Sequence, residues 1–298
     1  MKQVTHSAIV LALALGFGSS AQATTWTHTS TVANNAVSDH TNTAGYTLDV
    51  GNTSTMSSGG VTVTATAWAN TNEYGGVNET YVGPSANSLS YTLESAYLAN
   101  YSGGYGVANR DMTTDGSASG DEGEGVTPEH AMDNEDRFDS ILFSFSGAPN
   151  GVVLSAVTTG WVSGDSDISV WAYTGGTSTS TDLTGKTYSS LGAGWTLVGQ
   201  YNGGSGSGSI GINASGISSS YWLVGAYTAV SGATCATCDA GDDFMKIASL
   251  TGTVASCTST PTAPGCTPGG GGGNVPEPAT LGLLGLGLLG LMRARRSA

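Results

Sequence analysis

Short segments in which apolar and polar residues alternate occupy most of the chain between Trp26 and Val254. Val61–Trp68 alternates almost without interruption, and 141–145 and 168–173 share its period of two. Such alternation is typical of strands that bury one face, and no segment of useful length has a helical period. Further strands are predicted over 89–93, 152–157, 195–198, 221–227 and 244–254, with one helical turn at Thr127–Glu129.

These strands are separated by turns rich in Gly, Asn and Ser, which predicts an all-β fold. For an ectodomain of this length we expect an antiparallel β-sandwich that is jelly-roll-like in strand order, with a closed barrel as the alternative. No internal sequence repeat is evident, so neither a propeller nor a β-helix is expected.

The first residues have the layout of a secretory signal peptide. Lys2 precedes an apolar run, Ala8–Phe17, and small residues at Ala21 and Ala23 form a cleavage site. We therefore expect signal peptidase to remove residues 1–23, leaving a β-sandwich ectodomain over 24–255. A linker rich in Cys, Pro and Gly would occupy 256–274, and a sorting segment 275–298.

The chain is strongly acidic, with a formal net charge of −14 and only eight Lys and Arg residues. Three of those eight are Arg293, Arg295 and Arg296, at the extreme carboxyl end. A nucleic-acid partner is excluded, because a phosphate backbone requires a positively charged face. Acidity of this kind keeps an exported protein soluble, and it also supplies ligands for a cation.

Four cysteines lie in the final third of the chain, at Cys235, Cys238, Cys257 and Cys266. In an exported protein they predict structural disulfides, for which three pairings are open. The eight residues between Cys257 and Cys266 disfavour a four-thiolate zinc site. The lack of a βαβ pattern disfavours thioredoxin-like chemistry at the C-x-x-C pair.

Carboxylates concentrate between Asp111 and Asp139, where ten occur in 29 residues. A solvated acidic loop is one interpretation, and a calcium site is the other, because Ca²⁺ accepts many oxygen ligands in loose geometry. The calcium hypothesis uses carboxylates and an amide near the starts of strands. Its candidate ligands are Asp133, Asn134, Asp136, Asp139, Asp165 and Asp167.

Aromatic residues within the strands raise the possibility of glycan binding, since an exposed ring can stack on a sugar. Trp171 and Tyr173 share one strand face, opposite that of Ile168, and are the first candidates for such a platform. Core packing is the alternative role for each of them. We expect no enzymatic activity: His130 has no G-x-S-x-G nucleophile motif to work with, and the acids cluster in one Gly- and Ser-rich loop.

The carboxyl end combines three features in a fixed order. Val275, Pro276, Glu277 and Pro278 precede an apolar run over 279–292, and the arginine cluster follows. As a helix, that run would rise only about 21 Å, which is short for a bilayer core of roughly 30 Å. It is therefore suited to a transient hold in the inner membrane, with the arginines on the cytoplasmic side.

This tail closely resembles the PEP-CTERM sorting signal of Gram-negative exopolysaccharide producers. The resemblance implies processing by an exosortase, followed by release or attachment at the cell surface. Segments 128–134, 138–145 and 160–175 also resemble the exosortase-dependent surface protein group, for which no enzymatic activity is implied.

We therefore expect a non-enzymatic protein of the cell surface or extracellular matrix, associated with exopolysaccharide or biofilm and needing no cofactor. Its partners would be signal peptidase, exosortase and an exopolysaccharide. The alternative is a carbohydrate-binding β-sandwich module with a structural calcium ion.

Overall fold

The chain folds into β-strands, as a computed structural model of residues 22–29, 40–41, 47–48, 51–70, 89–108, 131–135, 137–175, 182–230, 235–239 and 241–256 shows. Within these ranges there is no helix. The strands are β1 (Thr24–Thr27), β2 (His40–Thr41), β3 (Thr47–Leu48), β4 (Ser54–Ser58), β5 (Val61–Ala69), β6 (Glu94–Ser95), β7 (Tyr97–Tyr101), β8 (Gly104–Ala108), β9 (Met132–Asp133), β10 (Asp139–Ser146), β11 (Val152–Gly164), β12 (Ile168–Tyr173), β13 (Trp195–Tyr201), β14 (Ser209–Gly211), β15 (Tyr221–Ala226) and β16 (Asp243–Val254).

The first sheet is organised around the long strand β16, and its main order is β14-β11-β16-β8-β7. One edge of β16 pairs with β11 from Val152↔Val254 to Gly164↔Asp243, with three register shifts on the way. Its other edge pairs in succession with β9, β8 and β1. All of these pairings are antiparallel. Because both of its edges are paired, β16 is the central strand of the sheet.

The second sheet has the order β13-β12-β15-β10-β5-β4, with β6 added beside β5. Its pairings are also antiparallel, and the β5–β10 ladder runs through eight residue pairs. A tight turn at Gly59–Gly60 joins β4 to β5, and both glycines have positive φ. A separate two-stranded ladder joins β2 and β3.

One apolar core draws side chains from both sheets, which makes the body a β-sandwich. Trp26, Met245 and Leu250 enter this core from the first sheet, and Phe143 and Trp222 enter it from the second. The ring of Trp26 meets that of Phe145 edge-on, with centroids 5.1 Å apart. Because successive residues of a strand point to opposite faces of the sheet, the residues next to these core positions along each strand point away from the core.

The outer face of the second sheet carries an apolar cluster of its own. Trp68, Leu142, Trp171 and Leu223 project there from four neighbouring strands. They are covered by side chains from 182–194, within the segment that connects β12 to β13, by Trp195 at the start of β13, and by residues from 89–93. The second sheet is therefore buried on both faces over much of its area.

The all-β prediction is confirmed, and most predicted strands are present. The segment 168–173 forms a strand with the predicted bounds. The strands predicted to begin at residues 61, 141, 152, 195, 221 and 244 are also present, with ends that are extended or shifted. The strand predicted over 89–93 is wrong, because the main chain of Leu93 bonds to the connecting segment instead. Its N–H donates to the Lys186 carbonyl and its carbonyl accepts from Gly185 N–H.

Other predictions lie outside the described residues: the signal sequence up to residue 21, the turn at 127–129, and the linker and tail beyond 256. No helix among the residues described is long and apolar enough to cross a membrane. The jelly-roll-like strand order stays a prediction.

Candidate functional site

Three aspartates from two separate parts of the chain converge at one end of the sandwich. One carboxylate oxygen each from Asp165, Asp167 and Asp239 lies within 4.8 Å of the others. Asp165 is half-buried, Asp167 is fully buried and Asp239 is exposed, so the group opens toward solvent on one side. Oxygen ligands at this spacing suit a hard cation such as Ca²⁺.

The turn between β11 and β12 is bound tightly to the start of β16, which fixes Asp165 and Asp167. The Asp165 N–H donates to the Asp242 carbonyl at 2.8 Å, and the Asp165 carbonyl accepts from Phe244 N–H at 3.1 Å. A Cβ on Gly164, where φ is +72°, would lie 2.3 Å from the Asp242 carbonyl oxygen. Only glycine permits this close approach of the two backbones.

Asp167 is held by main-chain donors from two other loops. Its Oδ1 accepts from Gly203 N–H at 3.0 Å, and its Oδ2 accepts from Asp239 N–H at 3.3 Å. Burial raises the pKa of this carboxyl, and the charges of Asp165 and Asp239 raise it further, against the effect of the two hydrogen bonds. A cation bound beside it would relieve this repulsion.

Asp243 lies directly behind the group and is fully buried. Its Oδ1 accepts from Asp167 N–H at 2.6 Å, and its Oδ2 accepts from the Asn134 amide at 2.5 Å. Burial raises the pKa of Asp243 to about 8, with further contributions from the charges of Asp167, Asp165 and Asp242. Below about pH 8 Asp243 therefore keeps its proton, and the negative charge at this end of the body comes from its aspartate neighbours.

Asn134 connects three parts of this end through its side chain. Its Oδ1 accepts from Gly241 N–H and Asp243 N–H at 3.0 and 3.2 Å. Its Nδ2 donates to the Tyr227 carbonyl at 3.2 Å as well as to Asp243. With its amide engaged in this way, Asn134 positions Asp243 and the turn before it.

The structure brings together only some of the predicted metal ligands. Asp165 and Asp167 meet, and Asn134 reaches them through Asp243. Asp133 and Asp139 are fully buried in β9 and β10, and neither is in the group of three. Asp136 lies outside the described residues.

The third aspartate, Asp239, was missed, although its sequence gives a signal. It directly follows the C-x-x-C pair, and Asp242 and Asp243 come shortly after.

Cys235 and Cys238 form a disulfide, which is consistent with one of the pairings left open. The loop it closes contacts the body where Asn202 Nδ2 donates to the Thr237 carbonyl at 3.2 Å. Cys257 and Cys266 lie outside the described residues.

A groove of about 380 Å³ opens on the outer face of the second sheet, beside the apolar cluster there. Its walls come from β12, β13 and the segment that connects them, together with Val230 from the chain that follows β15. The lining residues are Trp171, Tyr188, Ser189, Ser190, Leu191, Gly192, Ala193, Trp195, Leu197 and Val230. Concave sites that combine aromatic side chains with a few polar groups are typical of small-ligand binding.

Trp171 and Tyr173 lie on the face predicted for them, and their surroundings differ. Trp171 is only 3% exposed and stacks on Tyr188, with ring centroids 5.5 Å apart and 28° between the planes. Tyr173 is half-buried, and its ring meets those of Trp195 and Tyr221 edge-on. Trp195, half-buried at the side of the groove, was not among the first candidates predicted from the sequence.

Comparison with known proteins identifies the carboxyl end. Residues 274–296 match the model of the PEP-CTERM protein-sorting motif. They contain the predicted Val275, Pro276, Glu277 and Pro278 together with Arg293, Arg295 and Arg296. No curated protein and no solved structure matches the chain.

This motif indicates a secreted substrate of exosortase, exported toward the cell surface through its carboxyl-terminal signal. The chain is a PEP-CTERM domain-containing protein.

Proposed function

We propose that the protein is a non-enzymatic component of the outer cell surface or extracellular matrix, where it works among exopolysaccharide. The observation that carries the proposal is the sorting motif over 274–296, which follows an acidic, strand-built body. In this proposal signal peptidase removes residues 1–23, and the apolar run over 279–292 holds the chain briefly in the inner membrane until exosortase acts.

The composition of the body supports a hydrated, polymer-rich setting. Only 10% of the residues are charged, and the balance is strongly acidic, so the protein would repel other acidic molecules and stay soluble. Hydroxyl side chains line the outward positions of β5, where Thr62, Thr64 and Thr66 alternate with core residues. Such a face can exchange hydrogen bonds with water and with sugars.

Mass spectrometry of the protein recovered from the producing cells, combined with cell fractionation, tests this proposal. We expect a chain that begins at Thr24, lacks the arginine cluster and resides in the surface or matrix fraction. Glu277→Ala with Pro278→Ala should retain the tail and accumulate in the membrane fraction, whereas Ser297→Ala should be processed normally. A mature chain that keeps its tail in the inner membrane would contradict the proposal.

A second candidate function is a carbohydrate-binding module with a structural calcium ion. Two observations favour it: the aromatic groove on the second sheet and the convergence of Asp165, Asp167 and Asp239 within 4.8 Å. Three aspartates, one fully buried, offer the hard oxygen ligands that calcium prefers, and the ion would tie the β11–β12 turn to the disulfide loop.

Calorimetric and thermal titration with CaCl₂ tests the ion. Calcium at about 100 times its Kd should stabilise the fold by about 2.7 kcal/mol. Asp167→Asn and Asp239→Asn should reduce or abolish this gain. Asp182→Asn serves as the matched control, because Asp182 is an exposed turn aspartate outside the group. No heat and no rise in Tm for the unmodified protein would exclude calcium.

A further inference from the structure

We propose that the groove beside Trp195 binds a neutral mono- or disaccharide unit of a glycan chain. This inference rests on the carbohydrate-binding function proposed above, and it adds the place of binding, the ligand class and the principal contact residue. It moves the predicted platform from Trp171 and Tyr173 to the adjoining indole of Trp195, which lines the groove itself.

The far wall of the groove is fixed before any ligand arrives. Tyr188 anchors it, because its hydroxyl donates to the Phe138 carbonyl at 2.9 Å and its oxygen is hydrogen-bonded to Ser140 Oγ at 2.8 Å. The Tyr188 ring stacks on the Trp171 ring, and the two rings together line the bottom of the groove. The main chain next to it is pinned by the Thr187–Ser190 bridge. A wall preorganised in this way loses little conformational entropy on binding.

Trp195 supplies the aromatic side of the groove. Its ring is half-buried and is braced by Tyr173 at a centroid distance of 5.6 Å and an angle of 66°. Its indole N–H is buried and meets no acceptor among the residues described, so the exposed carbon surface of the ring, and not this donor, is what a ligand can reach. The apolar C–H face of a pyranose would pack against the indole, while the exposed Ser190 offers a hydroxyl from the connecting segment.

The lining of the groove selects for a neutral ligand. None of its ten lining residues carries a charge. A uronic acid would bring its carboxylate to a lining that offers no charged residue, on a chain of net charge −14. The Lys186 ammonium lies outside that lining, beside Gly192, 3.9 Å from where a Cβ on that glycine would be. An amino sugar would meet no carboxylate there. The volume of about 380 Å³ is near the lower end of ligand sites, which limits the bound unit to a short saccharide.

Isothermal calorimetry on the exported protein tests the inference with the neutral disaccharides of glucose, galactose and mannose, and with a glucuronate-containing disaccharide as the acidic comparison. We expect saturable binding of at least one neutral disaccharide and at least tenfold weaker binding of the acidic one. Trp195→Ala should weaken the neutral ligand at least tenfold, and Ser190→Ala roughly threefold.

Trp161→Ala is the matched control, because Trp161 is a half-buried strand tryptophan on the other sheet, outside the groove. It should leave affinity unchanged. Trp195→Phe, which keeps a ring, should retain partial affinity and guards against loss of folding in the alanine variant.

The inference is overturned if no neutral disaccharide binds the folded protein, if the glucuronate is preferred, or if the control variant loses as much affinity as Trp195→Ala. These results leave the surface location untouched, because that is measured separately by fractionation and terminal mass.

Discussion

Asn134 shows how one side chain can hold a loop and a charged cluster together. Replacement by alanine would remove the acceptor of two main-chain donors, Gly241 and Asp243, and the amide that donates to the Asp243 carboxyl group. Buried groups left without partners are costly. We expect Asn134→Ala to lower the free energy of unfolding by about 3 kcal/mol in urea denaturation. Asn150→Ala, which loses one bond of 3.4 Å to Ala255, should cost under about 1 kcal/mol.

Asp243 makes the stability of the ion-free protein depend on pH. Its folded pKa of about 8 lies far above the unfolded value, so the folded state keeps a proton that the unfolded state has released. The unfolded state therefore binds fewer protons between about pH 4 and 8, and stability falls as pH rises through this window.

Urea denaturation in chelator at pH 5 and pH 8 measures this slope. We expect Asp243→Asn, which removes the titrating group, to flatten most of it, while Asp182→Asn leaves it unchanged. A slope that survives intact in Asp243→Asn would assign the effect to another group.

The residue-scale predictions from sequence succeeded where partners are close along the chain and failed where they are distant. Asp165 and Asp167 share one turn, and their pairing was foreseen. Asp239 and Asp243 are brought to them by the packing of β16 beside β11, across more than 70 residues. No local pattern encodes such a register.

The hairpin of β7 and β8 depends on a glycine that lies against the neighbouring strand. Gly104 has a φ of +127°, and a Cβ there would lie 2.4 Å from the Ile247 carbonyl oxygen. We expect Gly104→Ala to cost about 3 kcal/mol, from backbone strain and from displacement of β16. Gly60→Ala has positive φ with open space around it, so it should cost only about 1 kcal/mol. Equal losses in chemical denaturation would contradict this steric account.

The disulfide loop is a second element whose removal should be measurable. Because Cys235 and Cys238 are only three residues apart, the disulfide removes little conformational entropy from the unfolded chain. We expect Cys235→Ser with Cys238→Ser to cost about 2 kcal/mol or less. The same variant should weaken the stabilisation by CaCl₂, because Asp239 follows Cys238 directly. Ala236→Ser, inside the same loop, should change neither quantity.

Elements with clean alternation were predictable, and those without it were not. Val61–Ala69 and Ile168–Tyr173 bury every second side chain in the main core, so their period survives in the sequence. The strand β8 is buried at all five positions and contains two glycines, so it shows no alternation. Leu93 is buried in the apolar cluster on the outer face of the second sheet, but it is not part of a strand. Its apolar character therefore reflects burial and not strand pairing.

At the scale of the whole molecule, composition and turn content were enough to predict an all-β body. They could not predict the strand order, in which β10 pairs with β5 and β15, both distant in sequence. They also could not predict that the second sheet is covered outside as well as inside. That covering creates the groove, since its wall is the segment that packs over Trp171.

The position of β16 determines how the body would carry a mechanical load. This strand ends at Val254, and the linker and the sorting segment follow it in the sequence, so a pull on the carboxyl end would load β16 first. It is flanked lengthwise by β11 on one edge and by β9, β8 and β1 on the other. Extraction would have to shear many hydrogen bonds at once instead of peeling them one by one. A body tethered by this end in flowing surroundings would resist drag through a strand that is paired along both edges.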